Sequence, residues 1–242
     1  MPEPIALITG ATSGIGRAAA AQLASAGWRV WVAGRSLERA EATAAQTGGQ
    51  PLQLDVTKPA SVAAAAAVVT ELDVLVNNAG ISPDYSVLLA DADADLFRRT
   101  YETNVFAVVT VTNAFLPALR QSSHPRIVNL SSGTSSLTWS SGPNPQFDYQ
   151  QAASTGGRLA AYRSSKAALN ALTLFYAQAL ESERFKVNAL APGVRATNLN
   201  PGAAARGGDP AEAAAAIVNL AQIPDDGPTG RLFSYDGSIA PW

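Results

Sequence analysis

The chain alternates short apolar runs, rich in β-branched residues, with longer alanine-rich segments that are typical of helices. Parallel strands need long crossovers between them, and these crossovers are usually helices. The alternation therefore predicts an α/β fold, a Rossmann-type doubly wound domain whose parallel sheet has helices on both faces. Seven strands are predicted, at residues 5–9, 29–33, 52–55, 74–77, 126–130, 186–189 and 231–233.

Helices are predicted between these strands, at residues 15–26, 37–46, 60–69, 94–119, 159–183 and 210–221. Capping signals agree with several boundaries, since Gly27 follows the first helix and Ser36 precedes the second. Asp209 and Pro210 are typical of a helix start, with Glu212 placed to reach back to the cap. The 242 residues are 47% hydrophobic and show no linker, so a single domain is predicted over 1–242.

Charge and composition exclude several classes of protein. The net charge of −2, with 14 Arg and 3 Lys scattered along the chain, predicts no nucleic-acid-binding surface. Every apolar run is far shorter than the roughly 20 residues that span a bilayer, and the first residues lack the features of a secretory signal. A cytoplasmic protein without membrane attachment is therefore predicted. There are no cysteines, and the single histidine, His124, lies in a polar turn where we expect it to be exposed rather than catalytic.

A glycine-rich turn follows the first predicted strand, in the sequence Thr9-Gly10-Ala11-Thr12-Ser13-Gly14-Ile15-Gly16. Glycines at such a turn let the backbone approach a pyrophosphate, whose charge is met by free N–H groups and the positive end of the next helix. The spacing differs from that of the commoner dinucleotide-binding turn. A turn that only packs a helix onto the sheet is the alternative interpretation.

Arg35 and Ser36 follow the second predicted strand, where NAD-binding enzymes usually carry an acidic residue for the ribose. The guanidinium of Arg35 offers charge and several donors to a 2′-phosphate, and Ser36 adds a hydroxyl. The pattern favours NADP(H) over NAD(H). Arg17 is a weaker candidate for the phosphate, and Arg35 as an ordinary solvated residue is the alternative.

Tyr162 and Lys166 are four residues apart near the start of a long apolar helix, and therefore lie on one face of it. Tyrosine normally ionises near pH 10, and a nearby cation favours the phenolate. The pair is thus suited to proton transfer at an oxygen atom. A pair of this kind also arises by chance, so a simple contact on the helix surface is the alternative.

Other polar residues follow strands that are predicted to end at the same sheet edge, where open α/β folds bind their ligands. Ser131 and Ser132 follow the fifth strand, and either hydroxyl is suited to stabilising a developing alkoxide. Asn104 lies early in the long helix before that strand, and a structural role for it is equally compatible with the sequence. Thr197, after the sixth strand, is placed to hold a nicotinamide carboxamide.

Together these motifs resemble the short-chain dehydrogenase/reductase family over nearly the whole chain. The resemblance implies a catalytic set of Asn104, Ser132, Tyr162 and Lys166. Tyr162 is then the acid/base, Ser132 polarises the carbonyl, Lys166 lowers the tyrosine pKa and holds the nicotinamide ribose, and Asn104 organises a water in a proton relay. No metal is implied. The expected cofactor-binding residues are Gly10, Thr12, Ser13, Gly14, Ile15, Gly16, Arg35, Ser36, Asp55, Val56, Asn78, Ala79, Gly80, Tyr162, Lys166, Pro192, Gly193 and Thr197.

One departure from the compact members of that family is an insertion at about residues 140–158, since Tyr162 follows Ser132 by 30 residues. In placement the insertion resembles that of monomeric carbonyl reductases. It is expected to line the substrate mouth or to block helix faces used for assembly, which favours a monomer or a homodimer. The candidate pocket residues are Trp139, Phe147, Tyr149 and Leu199, which predict an apolar or aromatic substrate.

The resulting hypothesis is an NADPH-dependent carbonyl reductase or alcohol dehydrogenase, which transfers a hydride between NADPH and a ketone or aldehyde. Two alternatives are weighed against it. One is a non-catalytic NADP(H)-binding sensor on the same fold, since fold does not fix function. The other is an enzyme that oxidises an alcohol, because the residues do not record the direction of the reaction.

Overall fold

The computed structural model describes residues 3–143 and 156–242, and its centre is an eight-stranded sheet. The strands are β1 (Ile5–Ile8), β2 (Arg29–Gly34), β3 (Gln50–Gln53), β4 (Val74–Asn77), β5 (Arg126–Leu130), β6 (Lys186–Ala191), β7 (Leu232–Ser234) and β8 (Ile239–Ala240). Their order across the sheet is β3-β2-β1-β4-β5-β6-β7-β8. Strands β1 to β7 are parallel, as predicted, and β8 is an additional antiparallel strand paired with β7.

Nine α-helices lie in the part of the chain that the structure describes. They are α1 (Gly14–Ser25), α2 (Leu37–Thr47), α3 (Pro59–Val68), α4 (Ala94–Tyr101), α5 (Ala107–Leu119), α6 (Leu137–Ser141), α7 (Ala160–Ala179), α8 (Pro201–Arg206) and α9 (Pro210–Ala221). Short 3₁₀ turns occupy Leu89–Asp91, Gly133–Ser135 and Glu181–Glu183, and a π-helical turn occupies Glu102–Phe106. The described helices include α6 and α8, which the sequence analysis did not predict.

The two faces of the sheet carry separate apolar layers, because successive strand residues point to opposite sides. In β1, Ala6 and Ile8 pack in a cluster with residues such as Leu23 of α1 and Ile217 of α9. Leu7 packs on the other face, in a cluster that includes Phe115 of α5. Covering both faces with helices is what a parallel sheet requires, and it confirms the doubly wound α/β fold.

Several local predictions differ from the structure. The helix predicted over 159–183 ends at Ala179, and β6 extends two residues beyond its predicted end. The helix predicted over 94–119 is interrupted by the π-helical turn that contains Asn104, and β3 begins and ends two residues before its predicted bounds. Glu212 does not reach back to its cap, because its carboxylate pairs instead with the guanidinium of Arg195. The cap itself is confirmed, since the Asp209 carboxylate accepts a hydrogen bond from the N–H of Ala211.

His124 is exposed, as predicted, and its Nδ1 atom lies 2.8 Å from the carboxylate of Asp225. Asp225 also pairs with the buried Arg126, and the hydrogen bond from Arg126 is the largest cause that lowers the pKa of Asp225, to about 2. Among the described helices, none is long and apolar enough to cross a membrane.

A buried chain of polar side chains ties the sheet to the helices α5 and α7. The Asn77 amide of β4 donates to Thr112 of α5 at 3.1 Å and to Asn129 of β5 at 2.9 Å. Asn129 in turn donates to Thr173 of α7 at 2.9 Å. All four residues are buried, so each polar atom depends on its neighbour for a hydrogen bond. This chain fixes α7 against the centre of the sheet.

Replacing Asn129 tests that dependence. We expect Asn129→Ala to lower the free energy of unfolding by about 2–3 kcal/mol, because it removes two buried hydrogen bonds, the one from the Asn77 amide and the one to the Thr173 hydroxyl. Urea denaturation followed by circular dichroism measures the loss. Gln121→Ala, on the exposed surface, is the control and should change stability by less than about 0.5 kcal/mol. An Asn129→Ala protein as stable as this control contradicts the assignment.

Candidate active site

The glycine-rich turn is held to the neighbouring strand β4 by hydrogen bonds. The hydroxyl of Thr9 accepts hydrogen bonds from the backbone N–H groups of Asn78 and Ala79, both at 3.0 Å. The Asn78 amide donates back to the carbonyls of Thr9 and Gly10, at 2.8 and 3.1 Å. The ends of β1 and β4 therefore form one rigid unit at the carboxyl edge of the sheet.

Glycine is required at several points of this unit. Gly10 has a φ of +63° and Gly14 a φ of +54°, a region that other residues rarely adopt. At Gly16, a Cβ atom would lie 2.4 Å from the side-chain nitrogen of Asn78 and 2.9 Å from the Gly10 carbonyl oxygen. A side chain there would push the turn away from β4. Close backbone approach of this kind fits the pyrophosphate-binding interpretation of the turn.

A cleft of about 760 Å³ runs along the carboxyl edge of the sheet. Sixteen of the 18 predicted cofactor-binding residues line it: Gly10, Thr12, Ser13, Gly14, Ile15, Arg35, Ser36, Asp55, Val56, Asn78, Ala79, Gly80, Tyr162, Lys166, Pro192 and Thr197. Residues separated by more than 180 positions in the sequence thus share one cavity. Its size and its glycine-rich floor fit a dinucleotide.

Two of the predicted cofactor-binding residues, Gly16 and Gly193, do not line the cleft. Gly16 lies beneath the turn, against Asn78. Gly193 has a φ of +69° and packs against Tyr235, so it shapes the loop after β6 rather than the cleft wall. Both glycines therefore act on the cleft through the backbone.

The four residues that were predicted to line the substrate pocket differ in where they lie. Leu199 lines the cleft, as expected. Trp139 does not, because α6 directs it into a core cluster with Ala189 and Leu232 at the end of the sheet. Phe147 and Tyr149 lie outside the described residues, as does most of the predicted insertion.

Tyr162 and Lys166 lie near the start of α7, with the Lys166 ammonium 5.9 Å from the centre of the Tyr162 ring. The Lys166 Nζ atom donates to the carbonyl oxygen of Leu130 at 2.6 Å. Burial lowers the pKa of Lys166 to about 8. Burial also raises the pKa of Tyr162 to about 12, with a smaller opposing effect from a hydrogen bond with Ser132. The net shift in the pKa of Tyr162 is thus upward, because desolvation is its largest cause, and the lowering expected from Lys166 stays a prediction.

The two serines after β5 have different surroundings, which the sequence alone did not reveal. Ser131 is buried, and its hydroxyl donates to the Asn170 side chain at 2.6 Å. Ser132 is less buried; its hydroxyl is close enough to Tyr162 to lower the pKa of the tyrosine, and it lies 2.9 Å from the Thr134 hydroxyl. Ser132 is therefore the serine next to the tyrosine hydroxyl, although Ser131 and not Ser132 lines the cleft.

Asn104 is fully buried in the π-helical turn, outside the cleft lining. Its side-chain oxygen accepts from the N–H of Ile81 and its nitrogen donates to the Ile81 carbonyl, both at 2.9 Å. The same nitrogen donates to the Ser165 hydroxyl at 3.0 Å. Asn104 thus joins the segment after β4 to α7. A π-helical turn in a helix frequently marks a functional site, and here it places this amide.

The opposite end of the cleft carries positive charge. Arg35 and Ser36 line it, as predicted, and Arg39, in the first turn of α2, lines it too. Arg17 is exposed but does not line the cleft. Asp55 also lines this end, and its carboxylate accepts two hydrogen bonds from Thr57, which together with the charge of Arg35 hold its pKa low despite the opposing effect of burial.

Several lining residues were missed by the sequence analysis: Gly34, Arg39, Leu54, Thr57, Ile81, Ser82, Pro83, Thr103, Leu130 and Asn198. Arg39 carried a detectable signal, because it lies in the first turn of the predicted helix, three residues after its cap Ser36. The segment after Gly80 carried no motif, and its position at the cleft depends on the contact of Ile81 with Asn104.

Comparisons with known proteins agree with this architecture. A sequence model described as short chain dehydrogenase matches residues 4–144. The short-chain dehydrogenase anuI of Penicillium roqueforti is 37% identical over 234 residues, which cover 90% of this chain and 88% of that protein. The chain therefore belongs to the short-chain dehydrogenase/reductase family. It is an oxidoreductase that transfers a hydride between a nicotinamide cofactor and a carbonyl or alcohol group.

Two similar solved structures differ in the cofactor that they contain. The Pseudomonas aeruginosa RhlG/NADP active-site complex has 28% identity and a TM-score of 0.81, and the match covers 97% of this chain and 95% of that one. A 3-ketoacyl-(acyl-carrier-protein) reductase from Brucella melitensis, complexed with NADH, has 26% identity and a TM-score of 0.81, with 96% of each chain covered. Similarity in fold thus leaves the choice between NADP(H) and NAD(H) to the residues of this chain.

Proposed function

We propose that this protein is an NADPH-dependent carbonyl reductase in which Tyr162 donates the proton. The observation that carries the proposal is the pair of adjacent hydroxyls, Tyr162 and Ser132, at the end of β5 beside the buried ammonium of Lys166. Two hydroxyl donors that converge on one point can bind the oxygen of a carbonyl group. The same two donors stabilise the negative charge that develops on that oxygen.

In the reduction of a carbonyl group, Tyr162 acts as the acid. Because burial raises the pKa of Tyr162 to about 12, its hydroxyl remains protonated at neutral pH and is available as an acid. When the cofactor is bound, the reduced nicotinamide supplies the hydride to the carbonyl carbon. Tyr162 then transfers its proton to the carbonyl oxygen and is left as a phenolate, which must be reprotonated before the next cycle. In alcohol oxidation the same proton moves in the opposite direction.

Lys166 supports that transfer through its charge. With a pKa of about 8, its ammonium is mostly protonated at neutral pH, and its hydrogen bond to the Leu130 carbonyl fixes its position. A positive charge near the ring stabilises the phenolate that Tyr162 becomes. Lys166 is also proposed to hold the nicotinamide ribose.

Ser132 is proposed to orient the carbonyl oxygen beside Tyr162. For Asn104, the contacts support a role in holding Ile81 and α7 in place, because its amide is engaged with Ile81 and Ser165. Its participation in a water-mediated relay to Lys166 stays a prediction.

The preference for NADPH rests on the charged end of the cleft. Arg35 and Arg39 offer two guanidinium groups, and Ser36 a hydroxyl, at the position where a 2′-phosphate would lie. Guanidinium groups bind phosphate through paired, charge-assisted hydrogen bonds. Gly10, Gly14 and the start of α1 are proposed to bind the pyrophosphate, and Thr197 the carboxamide of the nicotinamide.

The substrate proposed is a ketone or aldehyde with an apolar group next to the carbonyl. Ile81, Pro83 and Leu199 supply apolar surface to the cleft, and Thr103 and Asn198 supply polar groups. A cytoplasmic location, and a monomer or homodimer, stay predictions from the sequence.

Replacing the hydroxyl of Tyr162 tests the proposed acid. Tyr162→Phe is expected to lower kcat for carbonyl reduction by about 10²- to 10⁴-fold while NADPH binding is retained, because only the proton donor is removed. NADPH oxidation across a panel of aldehydes and ketones gives the rate, and fluorescence titration gives the Kd.

The matched control is Tyr176→Phe, a tyrosine on the same helix whose hydroxyl bonds with Asn113 instead. It should retain activity within about twofold, since this exposed hydrogen bond contributes little. A Tyr162→Phe enzyme as active as the control would exclude Tyr162 as the acid.

A charge reversal at Arg35 tests the cofactor preference. Arg35→Asp is expected to raise the Kd for NADPH by about 10- to 100-fold, because it removes charge-assisted hydrogen bonds and adds repulsion. The Kd for NADH should change much less. Arg29→Asp, an exposed arginine at the start of β2, serves as the control. An unchanged ratio of the two Kd values in Arg35→Asp means that the 2′-phosphate binds elsewhere.

A further inference from the structure

Asp84 lies in the segment after β4 and is almost completely buried, although the mechanism above makes no use of it. Its Oδ2 atom accepts a hydrogen bond from the backbone N–H of Tyr162 at 3.1 Å. Its Oδ1 atom has no hydrogen-bond partner in the part of the chain that the structure describes. A buried carboxylate is costly to retain, and among the described residues its one hydrogen bond is with the backbone of the proposed acid.

Helix α7 begins without a capping side chain of its own. Its N-cap residue, Leu159, has a φ of +64° and makes no side-chain cap, and the first turn contains no acidic residue. The first N–H groups of a helix have no partner within the helix. Counted from Leu159, Tyr162 is the third helical residue, and its N–H is one that an N-cap side chain normally binds. Asp84 supplies this hydrogen bond from a distant part of the sequence.

Further contacts hold the segment of Asp84 against the chain that enters α7. The N–H of Leu159 donates to the Asp84 carbonyl at 3.4 Å, and the N–H of Leu89 donates to the Gly156 carbonyl at 3.1 Å. A Cβ atom at Gly157 would lie 2.9 Å from that of Leu89, so the two segments are in close contact. The carboxylate is therefore fixed in relation to the start of the helix.

We propose that Asp84 is a positioning residue for carbonyl reduction, which caps α7 at the backbone of Tyr162 and thereby holds the tyrosine hydroxyl beside Ser132. The inference rests on the proposed role of Tyr162 as the acid. A carboxylate at a helix N-terminus is favourable, since it meets the positive end of the helix dipole. Fixing the main chain of Tyr162 restricts the position of its ring, on which proton transfer depends.

The negative charge of Asp84 has a second effect on the same residue. It adds to burial in raising the pKa of Tyr162, while the hydrogen bond with Ser132 acts in the opposite direction. The charged side chain of Lys166, on the same helix as Tyr162, faces the Tyr162 ring. Asp84 therefore has two effects on Tyr162: it fixes the main chain of the tyrosine, and its charge favours the protonated form of the hydroxyl.

Variants at Asp84 separate positioning from general stability. Asp84→Ala removes the cap, and we expect kcat to fall about 10- to 100-fold, because small displacements of a catalytic group are costly. The Kd for NADPH should stay near that of the wild type. Asp84→Asn keeps an oxygen that accepts from the Tyr162 N–H, so its kcat should recover to within about threefold of the wild type. Asp91→Ala, an exposed aspartate in the same segment, is the matched control.

Amide hydrogen exchange provides a readout that does not depend on activity. Residues 160–165 should exchange faster in Asp84→Ala than in the wild type or Asp84→Asn, since loss of the cap frays the first turn. If Asp84→Ala is too unstable to purify, Asp84→Glu takes its place, because it keeps the charge but displaces the acceptor and should also lower kcat.

A wild-type kcat in the Ala or Glu variant overturns the proposal, whatever the exchange shows. Equal losses of kcat in Asp84→Asn and Asp84→Ala overturn it too, because the retained acceptor would then be without effect. Failure of the proposed function would give a different result. Tyr162→Phe would then keep its activity, while amide exchange at the start of α7 would still be faster in Asp84→Ala.

Discussion

The hydrogen bonds between the Thr9 hydroxyl and the N–H groups of Asn78 and Ala79 are the constraint on which the site depends. They join the ends of β1 and β4, because Asn78 and Ala79 are 69 and 70 positions after Thr9 in the sequence. The Asn78 amide adds hydrogen bonds in the opposite direction, to the carbonyls of Thr9 and Gly10. Gly16 is needed because any side chain there would collide with that amide. The glycine-rich turn, the start of α1 and the segment that leads to Asp84 thus share one rigid base.

The chemistry of the site depends on a balance between burial and charge. Burial raises the pKa of Tyr162 above that of free tyrosine and lowers the pKa of Lys166 below that of free lysine. A protonated phenol beside a mostly charged ammonium is a good starting point for giving a proton to a carbonyl oxygen. The buried hydrogen bonds from Asn77 to Thr173 hold α7, the helix that carries this pair, against the sheet without adding charge.

Much of the fold followed from the sequence, because the alternation of strands and helices permits few arrangements. The glycine turn and the pair Tyr162 and Lys166 also indicated where the cleft is. The π-helical turn at Asn104 was not predictable, because the sequence of that segment has the periodicity of a continuous helix. The contacts of the buried Asn104 side chain with Ile81 and Ser165 depend on the whole fold. Trp139 was wrongly placed at the pocket for a similar reason. The helix α6, which the sequence did not predict, turns it into the core.

The direction of the tyrosine pKa shift was the most informative difference. The sequence showed a cation near Tyr162 but could not show how deeply both groups are buried, and desolvation depends on the whole fold. The cap supplied by Asp84 was hidden for the same reason, because its partner lies 78 positions away. Contacts between distant segments, rather than motifs, decided these two properties.

The most direct test of the central claim is a crystal structure of the protein with oxidised NADP and a bound ketone. The account predicts that the ketone oxygen lies within about 3.2 Å of both the Tyr162 and the Ser132 hydroxyls. A ketone oxygen held by other groups, with the Tyr162 hydroxyl beyond hydrogen-bond distance, would contradict it.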